Sequence, residues 1–174
     1  VVDAFLEYFQ GYDESPEEYL KRTFEQGNTL TRIILINVGV FVVFNIIYLF
    51  GSYANAGEAP LWLRNFAEFM QLSSKPSEIF FRPWTIITHI FLHKGFWHIL
   101  WNMLFLYWFG RILGDFLGDR RILPIYLMGA IFAGLVYFLS ANLLRYGGGA
   151  EHYALGASGA VMAIVAATGF LAPE

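Results

Sequence analysis

Two short polar motifs lie within otherwise apolar sequence, and their side chains are of types that carry out chemistry. His98 and Asn102 are four residues apart, so on a helix they project from one face, and both can donate hydrogen bonds. Ser158 is flanked by Gly156 and Gly159, which leave its backbone N–H and its hydroxyl unobstructed. At a helix start, the positive end of the helix dipole favours a developing anion. The residue types therefore suggest a nucleophile and donors for an oxyanion.

Four apolar segments must position these motifs. A hydrocarbon core of about 30 Å requires roughly 20 apolar residues in a helix. The segments are residues 30–50, 96–112, 123–144 and 155–171, of which the last is short and rich in Gly and Ala. His98 lies near the start of the second segment and Ser158 near the start of the fourth. Because these two spans cross in the same direction, the crossing count predicts that both motifs share one side of the membrane and one pocket.

The composition supports a membrane protein. Of the 174 residues, 57% are hydrophobic, 19% aromatic and 14% charged, whereas soluble domains carry about 25% charged residues. The formal net charge of -3 gives no indication of a nucleic-acid partner. The sequence contains no Cys, which excludes disulfides and thiolate metal sites. We therefore predict an all-α polytopic membrane protein that is embedded in a lipid bilayer and does not bind nucleic acid.

The chain divides into an acidic N-terminal segment, residues 1–29, and a membrane domain, residues 30–174. Two interpretations of the N-terminal segment are open: a solvated helix that leads into the first span, or an amphipathic helix lying on the membrane. The loop between the first two spans contains an aromatic patch, residues 61–70, which predicts interfacial helices, and a stretch at 84–92 that is too short to span. Lys and Arg divide six to five between the two sides, which slightly favours a cytoplasmic N terminus.

Each motif also has a purely structural interpretation. A Ser among Gly and Ala is common where membrane helices pack closely. His98 or Asn102 alone would be explained by an interhelical hydrogen bond. His89 and His93 would be explained as interfacial residues that lipid headgroups solvate, and for His89 this interpretation is favoured. Only the joint arrangement of Ser158 with the other motif favours catalysis.

The paired motifs resemble those of the rhomboid family of intramembrane serine proteases. The family pattern is His-x-x-x-Asn on the second helix, here His98 to Asn102, followed by Gly-x-Ser-Gly at the start of the fourth, here Gly156 to Gly159. The preceding His93, which we interpret as a supporting residue, and the long aromatic first loop also fit. The resemblance covers roughly residues 29–172, and it implies a rhomboid-like helical bundle.

The resemblance implies a role for each matching residue. Ser158 would be the nucleophile, and His98, Asn102 and the Ser158 backbone N–H would form the oxyanion hole. Gly156 and Gly159 would allow the fourth helix to pack closely against a sixth. The substrates would be transmembrane segments of other membrane proteins, with small and helix-destabilising residues near the cut. No metal or cofactor is implied, and the expected location is a bacterial cytoplasmic membrane.

One catalytic group of the family is expected to lie outside these residues. The general base of the family is a His on a sixth span, whereas this chain ends after the fourth. We therefore expect the front part of a longer protein, inactive by itself. His152 is not expected to replace the missing base, because it lies in a loop with no second group to orient it. Two smaller departures are Arg82, which precedes Trp84 where the family has Trp-Arg, and Gly114, where the family often has Glu. In addition, Met162 stands where several relatives carry an aromatic residue.

The main alternative is a protein of another class: a catalytically inactive rhomboid-like protein that binds membrane proteins and guides their fate. Such proteins typically lose the Ser or the His, whereas Ser158, His98 and Asn102 are all retained. A membrane zinc protease would require His-Glu-x-x-His, but His89 is followed by Ile90. A channel is disfavoured because no charged residue lies at the middle of a predicted span.

Overall fold

Long helices dominate the computed structural model, which describes residues 28–55, 57–144 and 152–171 together with Ser15 and Glu17. The helices in these ranges are α1 (Thr29–Ala54), α2 (Leu61–Met70), α3 (Pro76–Phe81), α4 (Thr85–Thr88), α5 (Phe96–Leu117), α6 (Ile122–Leu143) and α7 (Ser158–Leu171). Short 3₁₀ turns at His89–Phe91 and Asp119–Arg121 precede α5 and α6. A two-residue antiparallel ladder pairs β1 (Leu72–Ser73) with β2 (Tyr153–Ala154). Most of the predicted N-terminal segment lies outside the described residues, so both of its interpretations stay open.

The four segments predicted as spans form α1, α5, α6 and α7. Two described helices, Thr29–Ala54 and Asp119–Leu143, have both the length and the composition of membrane spans, with hydropathies of 2.6 and 2.2. Helix α5 has 22 residues, and at about 1.5 Å per residue it is long enough to cross a bilayer. Helix α7 begins at Ser158 rather than at residue 155, because a turn at Gly156 precedes it. The prediction of an all-α polytopic membrane protein is confirmed.

The outer surface of the bundle is apolar. Leu49, Phe50 and Phe132 are 67%, 69% and 67% exposed, and they belong to helices that qualify as spans. Large exposed apolar surfaces are rare on soluble monomers but are expected where lipid surrounds the protein. The core lies where α1, α5, α6 and α7 meet, around the fully buried Leu106 and Ile164. Helix α7, which begins with Ser158, is therefore held between α5 and α6.

Small residues bring α6 and α7 into close contact. A Cβ atom added to Gly159 would lie 2.3 Å from the Cβ of Ala133, and one added to Gly129 would lie 2.3 Å from the Cβ of Ala163. Within a bilayer, such close approach supplies the van der Waals contact that associates helices. The resemblance assigned Gly159 to packing against a sixth helix. Among the described residues Gly159 contacts α6, the third span, and its packing against a sixth helix stays a prediction.

The first turn of α1 is capped from the connection between α5 and α6. The Asp119 carboxylate accepts hydrogen bonds from the Thr29 backbone N–H at 2.8 and 3.0 Å, and also from the Thr29 hydroxyl. The Asn28 side chain accepts a bond from the Thr31 N–H at 2.9 Å. A carboxylate at a helix start also interacts favourably with the helix dipole. These bonds attach the start of α1 to the end of α5.

We expect Asp119→Ala to lower the free energy of unfolding by about 1–2 kcal/mol, since a helix loses a charged cap. The measurement is thermal unfolding in mild detergent, followed by circular dichroism. The matched control is Asp115→Ala, which removes an exposed carboxylate four residues earlier. If both variants unfold at the same temperature, the cap of α1 does not contribute to stability.

The loop between α1 and α5 is organised around aromatic contacts. Phe66 of α2 stacks on Phe44 of α1, with ring centroids 6.3 Å apart. The Trp84 indole N–H donates to the Phe69 carbonyl at 3.1 Å, and the two rings are 4.8 Å apart. The Arg82 guanidinium lies 5.4 Å from the Phe69 ring centroid. The helices predicted in this loop are present, and the changed order of Arg82 and Trp84 still leaves both residues anchored to Phe69.

Candidate active site

Ser158 is the first residue of α7 and lies at a groove between α5 and α7. The groove has a volume of about 390 Å³. It is lined by Trp101, Asn102, Phe105, Ser158, Val161, Met162 and Val165. The Ser158 residue is exposed, whereas Asn102 is 7% exposed. The hydroxyl at the helix start and the amide on α5 therefore border the same space.

The turn that precedes Ser158 is held by two histidines from the loop before α5. The Gly156 N–H donates to the His89 carbonyl at 2.8 Å. The Ala157 N–H donates to Nε2 of His93 at 3.4 Å. An acceptor role for Nε2 requires neutral imidazole with its proton on Nδ1. The loop thus fixes the backbone of the two residues directly before the candidate nucleophile.

Gly156 packs directly against the His98 ring. Its φ of +110° lies in the left-handed region that favours glycine. A Cβ atom at this position would lie 2.6 Å from Cε1 and 2.8 Å from Nε2 of His98. The described contact of Gly156 is with His98, and the packing against a sixth helix that the resemblance implies stays a prediction. The absence of a side chain at Gly156 is what allows the imidazole to lie beside the start of α7.

His98 and Asn102 lie one turn apart on α5, as their spacing predicts. The rings of His98 and His93 meet edge to face, with centroids 5.1 Å apart and planes at 65°. One N–H of the Asn102 amide donates to the His98 carbonyl at 2.7 Å. A primary amide has two such hydrogens, so the second is available to a ligand in the groove. The structure brings these two side chains and Ser158 to the same end of α5 and α7.

Sequence reasoning misjudged one neighbour of the site. The favoured interpretation of His89, as an interfacial residue solvated by headgroups, is wrong: His89 is 6% exposed, and its Nδ1 lies 2.8 Å from the Thr85 carbonyl oxygen. The four-residue spacing of His89 and His93 was the signal in the sequence that both residues support the site. That spacing was compared only with a zinc-binding motif. The Ser74 N–H donates to the His152 carbonyl at 2.9 Å, and the His152 N–H donates to the Ser74 hydroxyl oxygen at 3.1 Å, so His152 is held beside the short ladder.

Comparison with known proteins adds to this geometry. The Rhomboid domain family matches residues 81–174, more than half of the chain. The chain belongs to the rhomboid family. The region of this rhomboid chain that matches the family begins at Phe81, the last residue of α3, and includes α4 to α7.

Its similarity to individual rhomboids is moderate. It is 28% identical to RHOMBOID-like protein 12, mitochondrial, of Arabidopsis thaliana, over 95% of this chain and 48% of that protein. It is 31% identical to Rhomboid-like protein 16, chloroplastic, of the same plant, over 64% of this chain and 30% of that protein. It is 34% identical to Rhomboid protease GlpG of Salmonella newport over 32% and 20% of the two chains. No solved structure gives a significant match. The chain spans less than half the length of these relatives.

Burial keeps the histidines of the loop before α5 neutral at physiological pH. Burial, reinforced by the charge of His98, lowers the pKa of His93 from 6.5 to about 4. Burial also lowers the pKa of His89. Neutral imidazole is the form in which His93 can accept the Ala157 N–H. The turn before Ser158 therefore depends on an unprotonated His93.

We expect the stability of this rhomboid domain to decrease as the pH falls from 6.5 towards about 4, with His93 as one cause. The unfolded chain protonates His93 near its ordinary pKa, whereas the folded chain resists protonation, so each step down in pH favours the unfolded state. In His93→Gln the amide oxygen can accept the same N–H but does not titrate. The unfolding temperatures of the wild-type protein and of His93→Gln should differ by a constant amount above pH 6.5, and this difference should change as the pH falls below 6.5. Parallel pH profiles would contradict this assignment.

Proposed function

We propose that the complete protein is an intramembrane serine endopeptidase and that Ser158 attacks a peptide carbonyl of a transmembrane substrate. The observation that carries this proposal is the meeting of Ser158, His98 and Asn102 at the start of α7, in a chain of the rhomboid family. Catalysis requires a nucleophile and stabilising donors around one reacting carbon. In this proposal α7 supplies the nucleophile and α5 supplies the side-chain donors, although the two helices are far apart in sequence.

The oxyanion of the tetrahedral intermediate is held, in this proposal, by the His98 and Asn102 side chains and the Ser158 backbone N–H. Three features support these roles. Asn102 lines the groove, and its amide carries a second hydrogen besides the one bonded to the His98 carbonyl. The Ser158 N–H belongs to the first turn of α7, where the helix dipole favours negative charge. The apolar groove walls reduce screening by water, which strengthens each interaction with the developing charge.

The general base in the proposal is a His supplied by sequence outside these 174 residues. It takes the Ser158 hydroxyl proton as the Oγ–carbon bond forms. It then gives that proton to the leaving amine as the peptide C–N bond breaks, and water later hydrolyses the acyl-enzyme. The exposed position of Ser158 at the groove supports this step, because a side chain from a further helix can reach the hydroxyl.

The proposed substrates are transmembrane segments with small and helix-destabilising residues near the cleaved bond. The groove beside Ser158 is bordered by exposed apolar side chains, among them Trp101 at 52%, Phe105 at 38% and Met162 at 61% exposure. These side chains suit a segment that arrives from lipid rather than from water. A carbonyl in an intact helix is already hydrogen-bonded, so residues that weaken the helix make it available for attack.

The proposal places the protein in a bacterial cytoplasmic membrane, with the start of α1 on the cytoplasmic side. Six of the 11 Lys and Arg residues lie on that side in the predicted topology. The relatives named as mitochondrial and chloroplastic make an organellar membrane the alternative. A reporter enzyme fused before α1 in bacterial cells distinguishes a start of α1 on the cytoplasmic side from a start on the opposite side of the membrane. No metal or cofactor takes part in the proposed reaction.

Labelling with a fluorophosphonate tests whether Ser158 is a nucleophile. We expect the folded complete protein to form a phosphonyl adduct on the peptide that contains Ser158, as located by mass spectrometry, and protein unfolded in denaturant to form none. Ser140 is the internal control, because its hydroxyl donates to the Tyr137 carbonyl at 2.8 Å within its own helix. A folded protein that binds transmembrane segments but is never labelled would support the inactive rhomboid-like alternative instead.

A further inference from the structure

A second cavity lies beside His93 and Leu155, next to the turn before Ser158. It has a volume of about 490 Å³ and is formed by α1, α2, the loop before α5 and Leu155. This volume is in the range of pockets that bind small organic ligands. His93 is the residue that the cavity shares with the site described above, through the bond from the Ala157 N–H.

The walls of this cavity are mainly apolar. Phe41 and Phe44 of α1 face Phe91 and Leu92 of the loop, and Ala67 closes the side formed by α2. Phe44 is kept in place by its stacking on Phe66. Along these apolar walls water would have few polar partners, whereas an acyl chain would contact them along its length.

One rim of the cavity is polar and carries positive charge. Lys94, Tyr48, Asn45 and Gln71 all line it. Lys94 is exposed and carries the only formal charge among the lining residues, all of which belong to the described part of the chain. No described carboxylate forms an ion pair with Lys94, since the salt bridge between described residues joins Arg82 to Glu78. A lysine ammonium is a compact charge that suits phosphate oxygens.

Lys94 lies near the end of a membrane helix, where lipid headgroups are expected. Lys94 lies two residues before α5 begins, on the side of the bundle where the antiparallel α1 ends. A lysine at the end of a membrane helix extends its apolar stem along the protein and its ammonium towards the interface. The aromatic walls lie deeper along α1, at Phe41 and Phe44. The order of charge and apolar surface is therefore that of an anionic phospholipid.

We propose that this cavity binds one anionic diacyl phospholipid of the surrounding bilayer. Its phosphate pairs with Lys94 and accepts hydrogen bonds from the neighbouring polar rim. One acyl chain lies between Phe41, Phe44 and Phe91. The lipid would then contact His93, which lines the cavity. This binding does not depend on the proposed protease activity and is tested without it.

The test measures lipid binding by native mass spectrometry of the complete protein. The protein is delipidated in a non-ionic detergent and mixed with equimolar phosphatidylglycerol and phosphatidylcholine that have the same acyl chains. We expect a preference for phosphatidylglycerol of about fivefold, the usual effect of one basic residue at the membrane surface. Lys94→Gln should reduce this preference to parity. Ala67→Phe, which fills the cavity, should reduce the binding of both lipids.

The matched control is Arg64→Gln, which removes an exposed positive charge from the same loop without altering the cavity lining. The proposal is overturned if Lys94→Gln keeps the preference, or if Arg64→Gln removes it equally, because general surface charge would then explain the effect. Glycerol phosphate, a soluble headgroup without acyl chains, should not displace the lipid; displacement would overturn the role of the apolar walls. Circular dichroism of each variant verifies that it is folded.

Discussion

In the complete protein, Ser158→Ala is expected to reduce cleavage of a transmembrane substrate to the background rate. The substitution removes only the hydroxyl oxygen, and Ser158 is exposed at the first position of α7, so the fold should be retained. Without the nucleophile, the donors of the oxyanion hole have no covalent intermediate to stabilise. In serine proteases that use a nucleophile and a base as one unit, loss of the nucleophile costs roughly 10⁴-fold or more.

This prediction is measured with the protein and substrate in liposomes, by the rate at which the cleaved fragment appears on a gel. Ser140→Ala is the matched control, because Ser140 lies on α6 with its hydroxyl bonded to its own helix. The control should cleave at the wild-type rate. If Ser158→Ala retains measurable cleavage above background, Ser158 is not the nucleophile, even though it belongs to a matching motif.

Asn102→Ala is expected to lower kcat by about 10²–10³-fold while leaving some activity. This is the usual effect of removing one donor to an oxyanion, which forms only as the transition state is approached. The substitution also removes the bond from the Asn102 amide to the His98 carbonyl. That bond lies within one helix and is worth about 1 kcal/mol, so it does not account for the loss of rate.

The form of the kinetic change distinguishes a donor from a structural residue. A donor to the oxyanion lowers kcat and kcat/KM together, whereas a binding residue raises KM alone. Asn142→Ala is the matched control: the Asn142 amide donates to the Ser74 carbonyl at 2.9 Å, away from the groove, so kcat should not change. If Asn102→Ala loses activity only in proportion to the fraction that unfolds, Asn102 has a structural role.

The helices and their order could be predicted from the sequence because lipid imposes a simple requirement. Each span needs a long apolar run, and an antiparallel order follows from the count of crossings. Helix α5 begins at Phe96, the residue predicted from the sequence, and the crossing count predicted that His98 and Ser158 lie at the same end of the bundle. The residue pattern indicated which groups could react. Their roles in catalysis stay predictions.

The supports of the site could not be predicted, because they are contacts between short irregular segments distant in sequence. The ladder pairs Leu72 with Ala154, and strands of two residues have no periodicity to detect. The bond from the Ala157 N–H to His93 joins residues 64 positions apart. The contact of Gly156 with the His98 ring depends on a positive φ that a Gly permits but does not require.

The close packing of α6 against α7 has a consequence for how a bond is selected. Gly159 and Gly129 each leave no room for a single additional carbon atom opposite Ala133 and Ala163. This close packing restricts both sliding and rotation of helix α7 against α6. The hydroxyl of Ser158 is thereby held at one depth in the bilayer, and the substrate of the proposed protease would have to move to reach it. A larger side chain at Ala133 or Ala163 would shift that depth. The position of the cleaved bond in the substrate should therefore change before the rate of cleavage falls.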